Sequence, residues 1–180
     1  PTIIIKGVKS LKGGAWKGMP DRLEAGTFII LAAATKSPVK IKNCQPDHLE
    51  VLLELLEKAG ANLEIGSDYV IVKPASKLKA VDITTKEYPG FATDLQAPFT
   101  VLLTQAEGIS LVHETIYNGR LFYTDILNQM GADIIMADPH RVIVRGPSKL
   151  SGKKIHSPDI RAGMALLIAA LLAKGQSTIE

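Results

Sequence analysis

Cysteine is nearly absent: Cys44 is the single thiol among 180 residues, so an internal disulfide is excluded and a reducing compartment, the cytoplasm, is the expected location. Aromatic residues make up only 5%, and no basic run is longer than Lys153-Lys154. The basic stripe with interleaved aromatics that marks nucleic-acid binders is therefore missing, and no nucleic-acid partner is expected. The longest uninterrupted apolar stretch, Met164 to Ala173, has ten residues, about half of the roughly 20 needed to cross a bilayer. No membrane partner is expected. The histidines His48, His113, His140 and His156 lack any metal-ligand spacing, so no metal site is expected, and Lys12-Gly-Gly14 lacks the frame of a phosphate-cradling loop and reads as a linker. No signal peptide opens the chain. It starts at Pro1 and stops inside a strand-like segment, Gln176 to Glu180, and so reads as part of something longer.

What is present is an ordinary globular composition, 46% apolar and 22% charged, with a net charge of +3 that is a weak draw for anions. It also contains a repeat of about 70 residues, which fixes architecture before any single residue does. Met19-Pro-Asp-Arg-Leu-Glu-Ala-Gly-Thr-Phe28, Ala92-Thr-Asp-Leu-Gln-Ala-Pro-Phe99 and Ser157-Pro-Asp-Ile-Arg-Ala-Gly-Met164 each precede an apolar run, with Asp21, Asp94 and Asp159 at intervals of 73 and 65 residues. Lys58-Ala-Gly-Ala-Asn62 returns as Gln129-Met-Gly-Ala-Asp133, and Tyr69-Val-Ile-Val-Lys73 as Arg141-Val-Ile-Val-Arg145. Ile3-Ile-Ile-Lys-Gly7 mirrors Val142-Ile-Val-Arg-Gly146.

Each unit reads in the same order. A helix that is apolar nearly all round (Gly26 to Thr35, Ala97 to Glu107, Ala162 to Lys174) is the signature of burial on every side. A short strand follows (Val39 to Lys42, Ile109 to Val112, Ser177 to Ile179). The next helix, Asp47 to Lys58, sets Leu49, Leu52, Leu53 and Leu56 on one face and is amphipathic; its counterpart is Leu121 to Met130. A hairpin closes the unit, and a lead-in strand is expected at Val81 to Thr85 and at Lys153 to His156. The expected fold is α/β: a pseudo-threefold, inside-out α/β barrel, with three units around shared buried helices and sheets outside. Residues 1–17 read as a strand and linker from a preceding domain, with Trp16 packed against the domain that follows. Residues 18–180 read as that one domain, with repeats at about 18–80, 81–152 and, cut short, 153–180.

The buried helices begin alike. Thr93-Asp-Leu-Gln96 reads as a capping box, Asp21 with Glu24 as a looser one, and Ser157-Pro158 puts proline at N1. The plain reading of the three aspartates is helix capping. The sharper one notes that parallel buried helices bring their N-termini together into a face of free N–H groups suited to anions. Arg22 and Arg161 lie beside that face and fit phosphate or carboxylate, while an aspartate there can act as a general base toward a hydroxyl.

Met19 to Phe28, Gln45-Pro-Asp-His-Leu49, Phe91 to Phe99, Glu114-Thr-Ile116 with Arg120, and Asp159-Ile-Arg-Ala162 together resemble the UDP-N-acetylglucosamine 1-carboxyvinyltransferase family over essentially the whole chain. The resemblance implies one domain of a two-domain enolpyruvyl transferase. Such an enzyme moves the enolpyruvyl group of phosphoenolpyruvate to the 3′-hydroxyl of UDP-N-acetylglucosamine with release of phosphate, the first committed step of peptidoglycan synthesis. It implies Asp94 as the base at the sugar hydroxyl. Thr93 and Ile116 become contacts to the nucleotide sugar, Arg120 and Arg161 holders of phosphoenolpyruvate, and Asp21 with Arg22 part of the interdomain surface. No cofactor is implied. The partners would be the two substrates and the missing second domain, where the family's catalytic lysine and loop cysteine lie. Cys44 is instead expected to be a partly buried structural residue. The family's usual Phe-Glu-Asn-Arg is replaced by Tyr117-Asn-Gly-Arg120, which leaves the shape of that turn open.

Half the catalytic set would be absent, so the chain alone is expected to be inactive. An alternative keeps the fold as a non-catalytic binding or regulatory module. A third reading, RNA binding through the basic surplus, predicts steep salt dependence.

Overall fold

The computed structural model describes residues 2–157 and 160–180, with the backbone alone at 160 and 161. The first unit contains α1 (Arg22–Thr35), β1 (Val39–Lys42), α2 (Glu50–Lys58), β2 (Asn62–Ile65) and β3 (Tyr69–Lys73). The second contains β4 (Ile83–Thr84), α3 (Gln96–Leu103), β5 (Gly108–His113), α4 (Tyr123–Gln129), β6 (Asp133–Asp138) and β7 (Arg141–Gly146), and the third β8 (Lys154–Ile155), α5 (Ile160–Leu172) and β9 (Thr178–Ile179).

The apolar helices meet at the centre. α1, α3 and α5 pack on one another, and all eight residues of α3 are buried. With no polar face to solvate, such a helix is stable only inside a ring of other elements. Phe91 and Phe99 meet edge to face in that core, with ring centroids 5.5 Å apart. The amphipathic α2 turns Leu52, Leu53 and Leu56 inward and leaves its charged face outside, as its spacing predicts. The sheets lie outside the helices in the orders β1-β3-β2, β4-β5-β7-β6 and β8-β9. The lead-in strands β4 and β8 pair in parallel with β5 and β9, while the hairpins β2–β3 and β6–β7 are antiparallel.

Helix bounds differ from the periodic pattern for identifiable reasons. α1 begins at Arg22, ahead of its apolar run, because the Asp21 side chain accepts the backbone N–H groups of Leu23 and Glu24 at 2.7 and 3.2 Å. α3 and α5 stop short because the chain behind each is drawn into pairing: Glu107 bridges Lys79, and Lys174 bridges Ser151. A 3-10 turn, Pro46–Leu49, forms the first turn expected of α2.

One expectation for the N-terminal stretch, the packing of Trp16, is overturned. No residue from 2 to 20 lies in a strand or helix, although Ile3, Ile4 and Ile5 have strand-forming side chains. Their counterpart β7 is held between β5 and β6, whereas among the described residues this segment has no neighbouring strand to share a ladder. Trp16 is 92% exposed rather than packed.

Candidate active site

Two segments converge at the N-terminal end of α3. One is the 3-10 turn Thr93–Leu95 that leads into the helix; the other is the loop from Glu114 to Phe122 that follows β5. Their meeting point is the carboxylate of Glu114, fully buried. Its Oε1 accepts from Thr85 Oγ1 at 3.0 Å and from the backbone N–H groups of Ile116 at 2.9 Å and Tyr117 at 3.2 Å. Its Oε2 accepts from Thr93 Oγ1 at 2.8 Å. Four donors offset the cost of removing this group from water.

Arg120 completes the cluster. Its Nη1 donates to Thr93 Oγ1 at 2.6 Å and pairs with Asp94 Oδ1 at 3.0 Å. The guanidinium sits 4.5 Å from the centre of the Tyr117 ring. Only 10% of the Arg120 side chain is exposed, and its Nε has no partner among the described residues. Asp94 is far more open, at 40%. Thr93, Asp94, Gln96, Ala97, Arg120 and Tyr123 line a small cleft with Ala162 on its far side, so the starts of α3 and α5 face each other across it. Below the cleft, Gln96 Nε2 donates to Tyr123 Oη at 2.8 Å and to Thr100 Oγ1 at 3.1 Å. Burial pushes the Tyr123 phenol up, so it stays neutral.

The structure brings Thr93, Asp94 and Arg120 into direct contact and sets Ile116 on the same Glu114-anchored loop. The capping box is not formed. Thr93 gives its hydroxyl to Glu114 instead of a helix N–H, and Gln96 turns inward to Tyr123, because buried tertiary partners displace a local cap. Asp21 caps α1 as expected. Arg22 lies 4.9 Å from the Tyr88 ring centre in a separate groove with His48 and Phe91. Asp159 and the Arg161 side chain lie outside the described residues. Gly119 answers the question of the Tyr117-Asn-Gly-Arg120 turn: its φ is 75°. Asparagine is among the residues that best tolerate that region after glycine, so replacing the family's usual asparagine there keeps the turn within reach.

Glu114 was the functional residue least visible beforehand, yet a signal existed. Ser110 and Val112 are the inward positions of β5, and carrying the period of two onward puts Glu114 inside as well. A carboxylate forced inward at a strand end requires donors. Chemically, the cluster offers an open carboxylate oxygen on Asp94 for a hydroxyl proton, beside the Arg120 guanidinium, a donor suited to an anion.

Residues 1–180 match the family model described as EPSP synthase (3-phosphoshikimate 1-carboxyvinyltransferase). Among curated relatives, UDP-N-acetylglucosamine 1-carboxyvinyltransferase 2 of Geobacillus kaustophilus is 46% identical over 177 residues, covering 98% of this chain and 41% of that protein. The UDP-N-acetylglucosamine 1-carboxyvinyltransferase of Halothermothrix orenii is 45% identical over 178 residues, 99% of this chain and 42% of its own. This chain thus spans about two fifths of the length of the relatives it matches. Among solved structures, the enolpyruvyl transferase NikO from Streptomyces tendae superposes with a TM-score of 0.82 at 27% identity, covering 90% of this chain and 39% of that one. EPSP synthase from Acinetobacter baumannii superposes at 0.64 with 22% identity, over 88% of this chain and 40% of its own, a likeness of fold.

Proposed function

Since the chain belongs to the EPSP synthase (3-phosphoshikimate 1-carboxyvinyltransferase) family, we propose that it supplies part of the active site of an enolpyruvyl transferase. In this reading the acceptor is the 3′-hydroxyl of UDP-N-acetylglucosamine and the donor is phosphoenolpyruvate. Relatives that carry this acceptor in their names, at 46% and 45% identity, support it over 3-phosphoshikimate. The reaction is the first committed step of peptidoglycan synthesis and takes place in the cytoplasm, with which a lone free thiol accords.

The observation that carries this reading is the contact of Asp94 with Arg120 at the mouth of the cleft, 3.0 Å apart. Asp94 takes the proton as the sugar oxygen attacks C2 of phosphoenolpyruvate, whose C2=C3 bond opens as C3 takes up a proton supplied by the second domain. Arg120, with Arg161, holds the donor's anionic groups and the charge that develops on them. Addition yields a tetrahedral phospholactoyl ketal, which then loses phosphate from C2 and a proton from C3 to restore the double bond. Thr93 and Ile116 position the nucleotide sugar. Asp21 and Arg22 face the second domain, which residues 1–17 join and which contributes the remaining catalytic groups.

The test is phosphate release from phosphoenolpyruvate, dependent on UDP-N-acetylglucosamine, by the protein at its relatives' full length. Asp94→Ala should lower kcat by about 10²–10⁴-fold with the fold retained, the usual range for removing a general base. Absence of nucleotide-sugar-dependent turnover in the unmodified protein would reject the assignment and leave the non-catalytic module.

A further inference from the structure

We infer that Glu114 is a positioning residue for this reaction, acting through Thr93 to orient Arg120; the inference rests on the transferase reading above. The argument is a count of hydrogens. Arg120 Nη1 carries two, directed at Thr93 Oγ1 and Asp94 Oδ1, 2.6 and 3.0 Å away. A guanidinium can only donate, so Thr93 must present a lone pair to it. The one hydroxyl hydrogen of Thr93 is then directed to Glu114 Oε2, at 2.8 Å. The chain of bonds runs one way, from Arg120 to Thr93 to Glu114, because the guanidinium at its start can only donate.

Two consequences follow for substrate. Thr93 can only accept from a ligand, so it reads an N–H or O–H donor on the acceptor sugar rather than a carbonyl. Of the other Arg120 donors, Nε has no partner among the described residues, and it lies on a side chain that is nine-tenths buried. Glu114 reaches the second segment as well, since its Oε1 gathers the backbone N–H groups of Ile116 and Tyr117. One buried carboxylate therefore sets both the threonine below the guanidinium and the loop whose Tyr117 ring covers it.

Glu114→Gln tests this, because its amide is almost isosteric. The amide oxygen can still serve Ile116, Tyr117 and Thr85. The amide nitrogen, placed where Oε2 was, donates to Thr93 and reverses the chain, so two donors compete for the threonine lone pairs. In the full-length protein, kcat/KM for phosphoenolpyruvate should fall about 10–100-fold, the scale of a lost charge-assisted hydrogen bond. The decisive readout is the cycle with Thr93→Val. If Glu114 acts through Thr93, the double variant is no worse than Thr93→Val alone; additive losses overturn the inference. An unchanged kcat/KM in Glu114→Gln overturns it too. Should Glu114→Gln fail to fold by circular dichroism, Thr93→Val alone carries the test: its kcat/KM for phosphoenolpyruvate should fall at least as far, and an unchanged value overturns the inference. Absence of turnover in the unmodified protein rejects the transferase reading itself, a result distinct from activity that ignores Glu114.

Discussion

Arg120 commits Nη1 to Thr93 and Asp94 and stacks on Tyr117, so its remaining fork has a fixed aim. Lysine would keep the charge and lose the planar fork. Arg120→Lys in the full-length protein should therefore raise KM for phosphoenolpyruvate by roughly tenfold or more, while the KM for UDP-N-acetylglucosamine changes much less; steady-state kinetics with each substrate varied decide it. Cys44 makes a different prediction. It is buried against backbone carbonyls of Ile41 and Asp68, and desolvation pushes its thiol up from the usual range. The folded state thus holds the proton longer than the unfolded chain, so this group's contribution to stability falls as pH rises through the ordinary thiol range. Alkylation near pH 8 should be slow in the native chain and become rapid in denaturant, as mass spectrometry would record. At this scale the repeat pointed to Asp94 while Arg120 came only from the resemblance of its motif, and the structure sets the two 3.0 Å apart. The sequence misled at Thr93, because a Thr-x-x-Gln spacing says nothing of a carboxylate twenty-one residues away that takes the hydroxyl first.

Among elements, the first turn of α1 depends on Asp21, which holds two otherwise orphaned N–H groups. Asp21→Ala should lower unfolding free energy by about 1 kcal/mol, a shift in urea midpoint without a change in slope. Gly131, which follows α4, has φ 107°, and a Cβ built there would lie 2.8 Å from the carbonyl oxygen of Lys149. Gly131→Ala should then cost more than the roughly 1 kcal/mol of an ordinary glycine exchange, since strain and backbone collision add. Helix, strand, helix and hairpin were readable because each unit repeats its pattern, and the hairpin strands β3 and β7 fall on the two matching β-branched runs. Helix ends were less so. The pairing that stops α3 and α5 is made with residues of the lead-in segments, over twenty positions earlier, which no local pattern can contain.

For the whole molecule, the threefold arrangement followed from the repeat, while the exposure of Trp16 did not. The first sheet has three strands, the second four and the third two. With the chain spanning about two fifths of its relatives' length, purified residues 1–180 should show no phosphate release above background in a coupled assay. The shared helical centre carries one more consequence. α1 packs against both α3 and α5, and the connection after β3 passes over the surface at Ser76 and Lys77. A single tryptic nick there should not release two pieces, as it would from beads on a string. The fragments should travel together through gel filtration and part only in denaturant, held by a core to which each half contributes walls that the other cannot replace.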